Sequence, residues 1–167
     1  MFERVVVEWY INFVVELVDR VTVRAFFTDS FPDEVVFTST ARKLRSRLLD
    51  YFSGRVVDFS DFDVAYPTEF SGRVLREVRR IPYGKVETYS SLARRLDTSP
   101  RAIGVALKKN PVPVVVPCHR VVAKNGIGGY SPGTSIKKLL LEMELNRGLH
   151  SAADVSTGLE MEAGDED

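Results

Sequence analysis

The stretch at residues 111–122, PVPVVVPCHRVV, constrains more than any other part of the chain what it can fold into. Three prolines within seven residues forbid a helix, because each lacks an N–H and biases the residue before it towards extended conformations. The four valines between them are β-branched and suit a pleated, buried surface. The segment is therefore predicted to be extended, stiff and dry. It also delivers a thiol and an imidazole together: Cys118 is the only cysteine of the chain and His119 one of two histidines. Taken alone the pair is weak evidence, since a free cysteine is commonly a small buried hydrophobe.

The flanking chain reads as two small domains of α+β class. Residues 3–9 (ERVVVEW), 12–18 (NFVVELV) and 21–27 (VTVRAFF) are rich in Val and Phe with very short breaks, which predicts a three-stranded antiparallel meander. Residues 40–52 follow as a helix, with Leu44, Leu48, Leu49 and Phe52 on one face and Arg42, Lys43, Arg45 and Arg47 mostly on the other. The expected organisation is an N-terminal sheet-and-helix domain at 1–55, a linker at 56–67, a mainly helical domain at 68–149, and an acidic, disordered tail at 150–167. In the second domain, Thr68 caps a helix running to about Arg80, and Ile81–Pro82–Tyr83–Gly84 ends it in a turn. Two short helices follow, at 88–96 and 100–109, with Ser99 as N-cap and Pro100 at the first helical position. Helix, tight turn, helix is the helix-turn-helix pattern. On the second helix Ile103, Ala106 and Leu107 form an inward stripe, and Arg101, Gly104, Val105 and Lys108 share the opposite face. A glycine inside a helix costs about 1 kcal/mol relative to Ala, so Gly104 suggests close approach by something, with basic residues at both ends of its face. After the Cys–His segment, KNGIGGYSPG at 124–133 holds four glycines and reads as a flexible loop. A last helix is predicted at 134–147, with Ile136, Leu139, Leu140 and Met143 turned inwards.

Composition excludes some classes and permits others. A single cysteine allows no internal disulfide and no CxxC metal site, so a reducing, intracellular setting is expected, without metal or cofactor. No apolar run approaches the roughly 20 residues that span a bilayer, and the N-terminus does not have the form of a signal peptide. The net charge of zero hides an asymmetry. Residues 151–167 carry six acidic groups and no Lys or Arg, leaving 23 basic against 17 acidic residues in the remainder. A basic body suits a polyanionic partner.

PCHRVV resembles the active-site signature of the O6-alkylguanine-DNA alkyltransferases, the methylated-DNA–protein-cysteine methyltransferase family. IPYGKVETYSSLA at 81–93, RAIG at 101–104, NPVPVVVPCHRVV at 110–122, GGYSPG at 128–133 and the helix ending in Glu144 stand in that family's order and spacing. The resemblance covers residues 66–148; the first 55 residues carry no such signature, and the family implies a mainly structural role for them.

The resemblance implies transfer of an alkyl group from the 6-oxygen of guanine to Cys118, irreversibly and once per molecule. A thiol attacks as thiolate, and His119 is the obvious base. Neighbours on an extended segment point to opposite sides, so a bridging water is expected between them. A carboxylate on the far nitrogen would fix the imidazole's tautomer. The residues alone do not choose between Glu142 and Glu144; the resemblance selects Glu144. It further implies Tyr89 as proton donor near the guanine oxygen and Asn110 as hinge of the active-site segment. Tyr130, Ser131 and Val121, with Tyr89, become the walls of the base pocket. Thr88, Tyr89, Arg101, Ala102, Gly104 and Lys108 become the DNA-binding set, with Arg101 filling the stack vacated by a flipped base. Val105 departs from the smaller residue of some relatives. The partner implied is duplex DNA, bound by a monomer through the minor groove with little sequence preference, in the cytoplasm or, in a eukaryote, the nucleus. Three other readings are open: a module that binds alkylated bases without chemistry, a cysteine hydrolase, and a transcription regulator. The first should lack Cys118, the second gives no reason for a helix-turn-helix, and the third needs more base-reading surface than one short basic face.

Overall fold

The computed structural model describes residues 1–148; the acidic tail expected at 150–167 lies outside the described residues. The described chain is an α+β protein of two compact units: Met1–Ala65 with Pro111–Val115, and Tyr66–Asn110 with the described residues from Val116.

In the first unit, β1 (Phe2–Val7), β2 (Asn12–Val18) and β3 (Val21–Thr28) pair antiparallel in the order β1-β2-β3. Val5 faces Val15 and Val15 faces Ala25 across the sheet, all three buried. Asp19 and Arg20, joining β2 to β3, both have positive φ, as a tight two-residue hairpin requires. Helix α1 (Ser39–Phe52) buries Ala41, Leu44, Leu48 and Tyr51. Leu49, expected inside, is exposed, because the buried stripe runs through Ala41, Leu44, Leu48 and Tyr51 and Leu49 lies to one side of it. The start of α1 is fixed by Thr38, whose side chain accepts from the Ala41 N–H, and by the buried Glu3. The Glu3 carboxylate accepts from the N–H groups of Phe37 and Thr38, at 2.7 Å each, and from the Thr38 hydroxyl at 2.8 Å. Burial would raise its pKa, but those three donors more than offset this and hold it below the ordinary value.

Residues 56–65, expected within the linker, group with this unit. Phe59 and Phe62 are buried, the Phe59 ring lies 5.7 Å from that of Tyr51, and the Thr22 hydroxyl donates to the Asp63 carbonyl at 2.6 Å. Residues 111–115 return to the same unit, where the Ala25 N–H donates to the Pro111 carbonyl.

The second unit holds α2 (Glu69–Val78), β4 (Glu87–Thr88), α3 (Tyr89–Arg95), α4 (Pro100–Lys108), β5 (Val121–Val122) and α5 (Thr134–Gly148). Each of the first three helices starts where the sequence predicts. Thr68 and Ser71 form a reciprocal capping box on α2, Thr88 accepts from the Ser91 N–H on α3, and Ser99 accepts from the Ala102 N–H on α4. The parallel pairing of β4 with β5, Glu87 opposite Val121 and Thr88 opposite Val122, is too short to leave a pattern in the sequence.

The valine-proline stretch is not extended, contrary to expectation. Its prolines remove the donors a ladder would need, and the chain turns instead. Val114 has φ of 75°, a conformation costly for a β-branched residue. Pro117, with φ −80° and ψ 62°, forms a tight inverse turn closed by the Cys118 N–H on the Val116 carbonyl at 2.8 Å. Cys118–Arg120 then makes one turn of 3-10 helix leading into β5.

Candidate active site

Cys118 opens the 3-10 turn, so its side chain and that of His119 are not on opposite sides of a strand. The thiol is buried, and Asn110 reaches it from the end of α4: the side-chain amide donates to Sγ at 3.1 Å and to the Val116 carbonyl at 3.0 Å. Desolvation raises the Cys118 pKa, with the Asn110 hydrogen bond and the positive charge of Lys137 opposing.

His119 is fully buried, and its Nε2 lies 2.6 Å from Glu144 Oε2. An ionised carboxylate only accepts, so Nε2 carries the proton and Nδ1 is the basic nitrogen. Burial lowers the pKa of the imidazole, although Glu144 opposes this, which favours the neutral ring as base. Glu144 accepts from three further donors: Arg120 Nε at 2.8 Å, an Arg120 terminal nitrogen at 3.1 Å and the Gly84 N–H at 3.2 Å. Burial pushes this carboxyl upwards, but His119 and Arg120 outweigh it and keep Glu144 well below the usual carboxylate range. Arg120 is anchored in turn by the Ile81 carbonyl at 2.7 Å. Glu142, the alternative left by the sequence, is exposed.

This arrangement explains why α5 is rotated from expectation. Its buried positions are Lys137, Leu140, Leu141, Glu144 and Leu145, an i, i+3, i+4, i+7, i+8 stripe that includes two charged residues. Ile136, Leu139 and Met143, expected inside, are only half-buried. Arg120 and Lys137 are the two residues at this centre that sequence reasoning missed. Arg120 stood in plain view within PCHRVV, and Lys137 would have been found by asking which charges share a helical stripe with Glu144.

Around the thiol, Tyr130 places its ring 6.3 Å from that of His119, edge to face, with its hydroxyl buried. Burial holds the Tyr130 phenol well above its ordinary pKa, so it stays protonated. Tyr89, at the start of α3, is half-buried. Gly128, at φ 75°, lies so near it that an added Cβ would come within 3.0 Å of the Tyr89 hydroxyl. The loop thus comes close to α3 at a position whose positive φ favours glycine. Ser131 is exposed, and the Val121 carbonyl accepts from Lys137.

On α4, Ile103 and Ala106 are buried while Arg101, Val105 and Lys108 are exposed. Ala102 and Gly104 are half-buried, and beyond its own turn no atom lies within 4 Å of where a Cβ on Gly104 would stand. Internal packing therefore gives no reason for that glycine. Thr88 differs from the rest of this set, since its buried hydroxyl is taken up in capping α3. Among the described residues, no group of three or more His, Cys, Asp or Glu could hold a metal ion, and no helix is long and apolar enough to cross a membrane.

Residues 69–146 match the family profile described as 6-O-methylguanine DNA methyltransferase, DNA binding domain. The chain is 46% identical over 118 residues to the methylated-DNA–protein-cysteine methyltransferase of Sulfolobus acidocaldarius, covering 71% of this chain and 76% of that protein. It is 43% identical over 143 residues to the protein of the same name from Archaeoglobus fulgidus, covering 82% and 93%. Among solved structures, Mycobacterium tuberculosis OGT in complex with DNA superposes with a TM-score of 0.73 at 27% identity, over 84% of this chain and 91% of that one. With its cysteine, histidine, asparagine and glutamate brought together as described, this chain belongs to the methylated-DNA–protein-cysteine methyltransferase family.

Proposed function

We propose that this protein repairs DNA by moving the alkyl group of an O6-alkylated guanine onto Cys118. The observation that carries the reading is the linked set Asn110–Cys118 and His119–Glu144–Arg120, which holds one thiol beside one oriented imidazole in a buried site. His119 Nδ1 takes the thiol proton through a bridging water, and Glu144 stabilises the imidazolium that forms. The thiolate attacks the alkyl carbon, the carbon–oxygen bond breaks with its electron pair going to guanine, and Tyr89 supplies a proton to the leaving base. The product is a thioether, which no group at the site can cleave, so each molecule acts once.

The base reaches this buried thiol only if it is flipped from the helix. Helix α4 offers its exposed face to the minor groove, Arg101 fills the vacated stack, and Ala102 and Gly104 allow the close approach. The carbonyls of Cys118 and Val121 and the Tyr130–Ser131 loop read the guanine. Lys108 neutralises a phosphate, sequence preference is slight, and one copy of the chain suffices.

Incubation with duplex DNA containing O6-methylguanine, followed by intact-mass measurement, tests this. One added methyl per molecule, mapped to the peptide bearing Cys118 and absent in Cys118→Ser, is the expected result. Unmodified protein bound to alkylated DNA, or catalytic release of product without a mass change, contradicts it.

A further inference from the structure

Lys137 is fully buried, and its ammonium hydrogen-bonds to backbone: Nζ donates to the Val121 carbonyl at 2.7 Å and to the Gly129 carbonyl at 3.0 Å. An ammonium removed from water needs strong compensation, and two neutral carbonyls supply little. A methionine would fill the same space without that cost. What the two bonds join is therefore informative. Val121 follows directly on the turn that carries Cys118 and pairs with Glu87 in the β4–β5 ladder. Gly129 lies in the glycine-rich loop, directly before Tyr130. Nζ also lies 6.0 Å from the Tyr89 ring centroid, so Tyr89, the loop and the thiol-bearing turn all meet around one ammonium.

We propose that Lys137 is a positioning residue for alkyl transfer, its ammonium stapling the Gly129–Tyr130 loop to the Val121 carbonyl so that Tyr130 stands beside His119 and Cys118. This rests on the alkyl-transfer reading and extends it: the pocket wall is held by a charge in addition to the loop's packing on Tyr89. The titratable groups that Nζ faces are Cys118 and His119 from the 3-10 turn and Tyr89 from α3. Burial lowers the Lys137 pKa from 10.5 to about 8, with Cys118 opposing. The staple is therefore charged below that pH and weakens as pH rises through it. The thiolate fraction of Cys118 changes in the opposite sense, increasing with pH.

The test compares Lys137→Met and Lys137→Arg in the full chain. Four quantities are measured: the single-turnover methyl-transfer rate at saturating duplex, duplex affinity, Cys118 alkylation by iodoacetamide, and hydrogen exchange of residues 124–133. Lys137→Met is expected to lose roughly tenfold to a hundredfold in transfer relative to its iodoacetamide rate, as a misplaced pocket wall would. Its loop amides should exchange faster while duplex affinity stays the same. In the unsubstituted protein the ratio of transfer to iodoacetamide rate should fall as pH passes about 8. In Lys137→Arg, which does not titrate there, that fall should vanish. A Lys137→Met protein with an unchanged rate ratio or unchanged loop exchange overturns the proposal. If Lys137→Met does not fold, Lys137→Arg decides: a flat ratio supports the staple, and a fall like that of the parent overturns it. Failure of the parent protein to gain a methyl on Cys118 would sink the alkyl-transfer reading instead, and loop exchange would still judge the staple.

Discussion

Helices α4 and α5 each bury one face, and they distribute their charges in opposite ways. Helix α4 turns Ile103 and Ala106 inwards and leaves Arg101 and Lys108 in water. Helix α5 buries Lys137 and Glu144 in the same stripe as Leu140, Leu141 and Leu145. The first arrangement is what a periodic sequence predicts; the second costs desolvation of two ions, offset for Glu144 by Arg120 and His119 and for Lys137 only in part by two carbonyls. The difference separates two kinds of work. On the proposed function, the helix offered to DNA keeps its cations solvated, whereas the one that aligns reacting groups holds its charges in fixed geometry.

The comparison is tested most severely at the buried end. His119 and Glu144 share one hydrogen bond and should act as a unit in the rate. His119→Ala and Glu144→Gln should each slow single-turnover transfer by about 10²–10⁴-fold. The double variant should be little slower than the worse single one, because each loss already disables the same relay. Strictly additive losses would make Glu144 a scaffold residue without a role in proton transfer.

Next in size is the effect on stability. Glu144→Ala leaves Arg120 buried without its carboxylate, and breaking such a pair typically costs about 3–5 kcal/mol, readable by urea unfolding. Lys108→Ala, on the solvated face of α4, should stay within about 0.5 kcal/mol. The pH dependence has a definite sign. Both His119 and Glu144 have folded pKa values below their ordinary ones, 6.5 and 4.5. Each therefore contributes stability that is complete above its ordinary value and is lost as pH falls through the folded one. Stability should decline first below about pH 6.5, through His119, and again below about pH 4.5, through Glu144. A His119→Gln protein whose stability falls just as early in acid would contradict this assignment.

The smallest effects belong to α4. Arg101→Ala should lose much more rate on duplex than on free O6-methylguanine, since the stack is vacated only when a base leaves a duplex. Arg101→Lys should restore part of the loss, lacking the planar group. Lys108→Ala should weaken binding uniformly and reduce the salt dependence by about one phosphate contact. Equal losses on duplex and free base would mean that Arg101 supports the pocket and not the stack.

How much of this was legible follows the same division. Caps at Thr68 and Ser99, the proline at the start of α4 and the Val-rich meander are local signals, and the elements begin within a residue or two of where they were expected. The Cys–His pair and Glu144 were legible through a long motif whose order is itself a pattern. What periodicity could not give was the rotation of α5, because Lys137 looks like a surface residue until Val121 and Gly129 are brought to it from elsewhere in the chain. The conformation of residues 111–117 was missed for a related reason. Valine propensity favours a strand, but three absent N–H donors and the need to present Cys118 on a turn outweigh it.

Whether Cys118 is a stoichiometric acceptor is decided by a titration. A fixed amount of protein is mixed with increasing duplex carrying isotope-labelled O6-methylguanine, and both repaired guanine and labelled protein are counted. Both should plateau together at one equivalent, with all label in the Cys118 peptide. Repair that continues past one equivalent, or label found on any other residue, would contradict it.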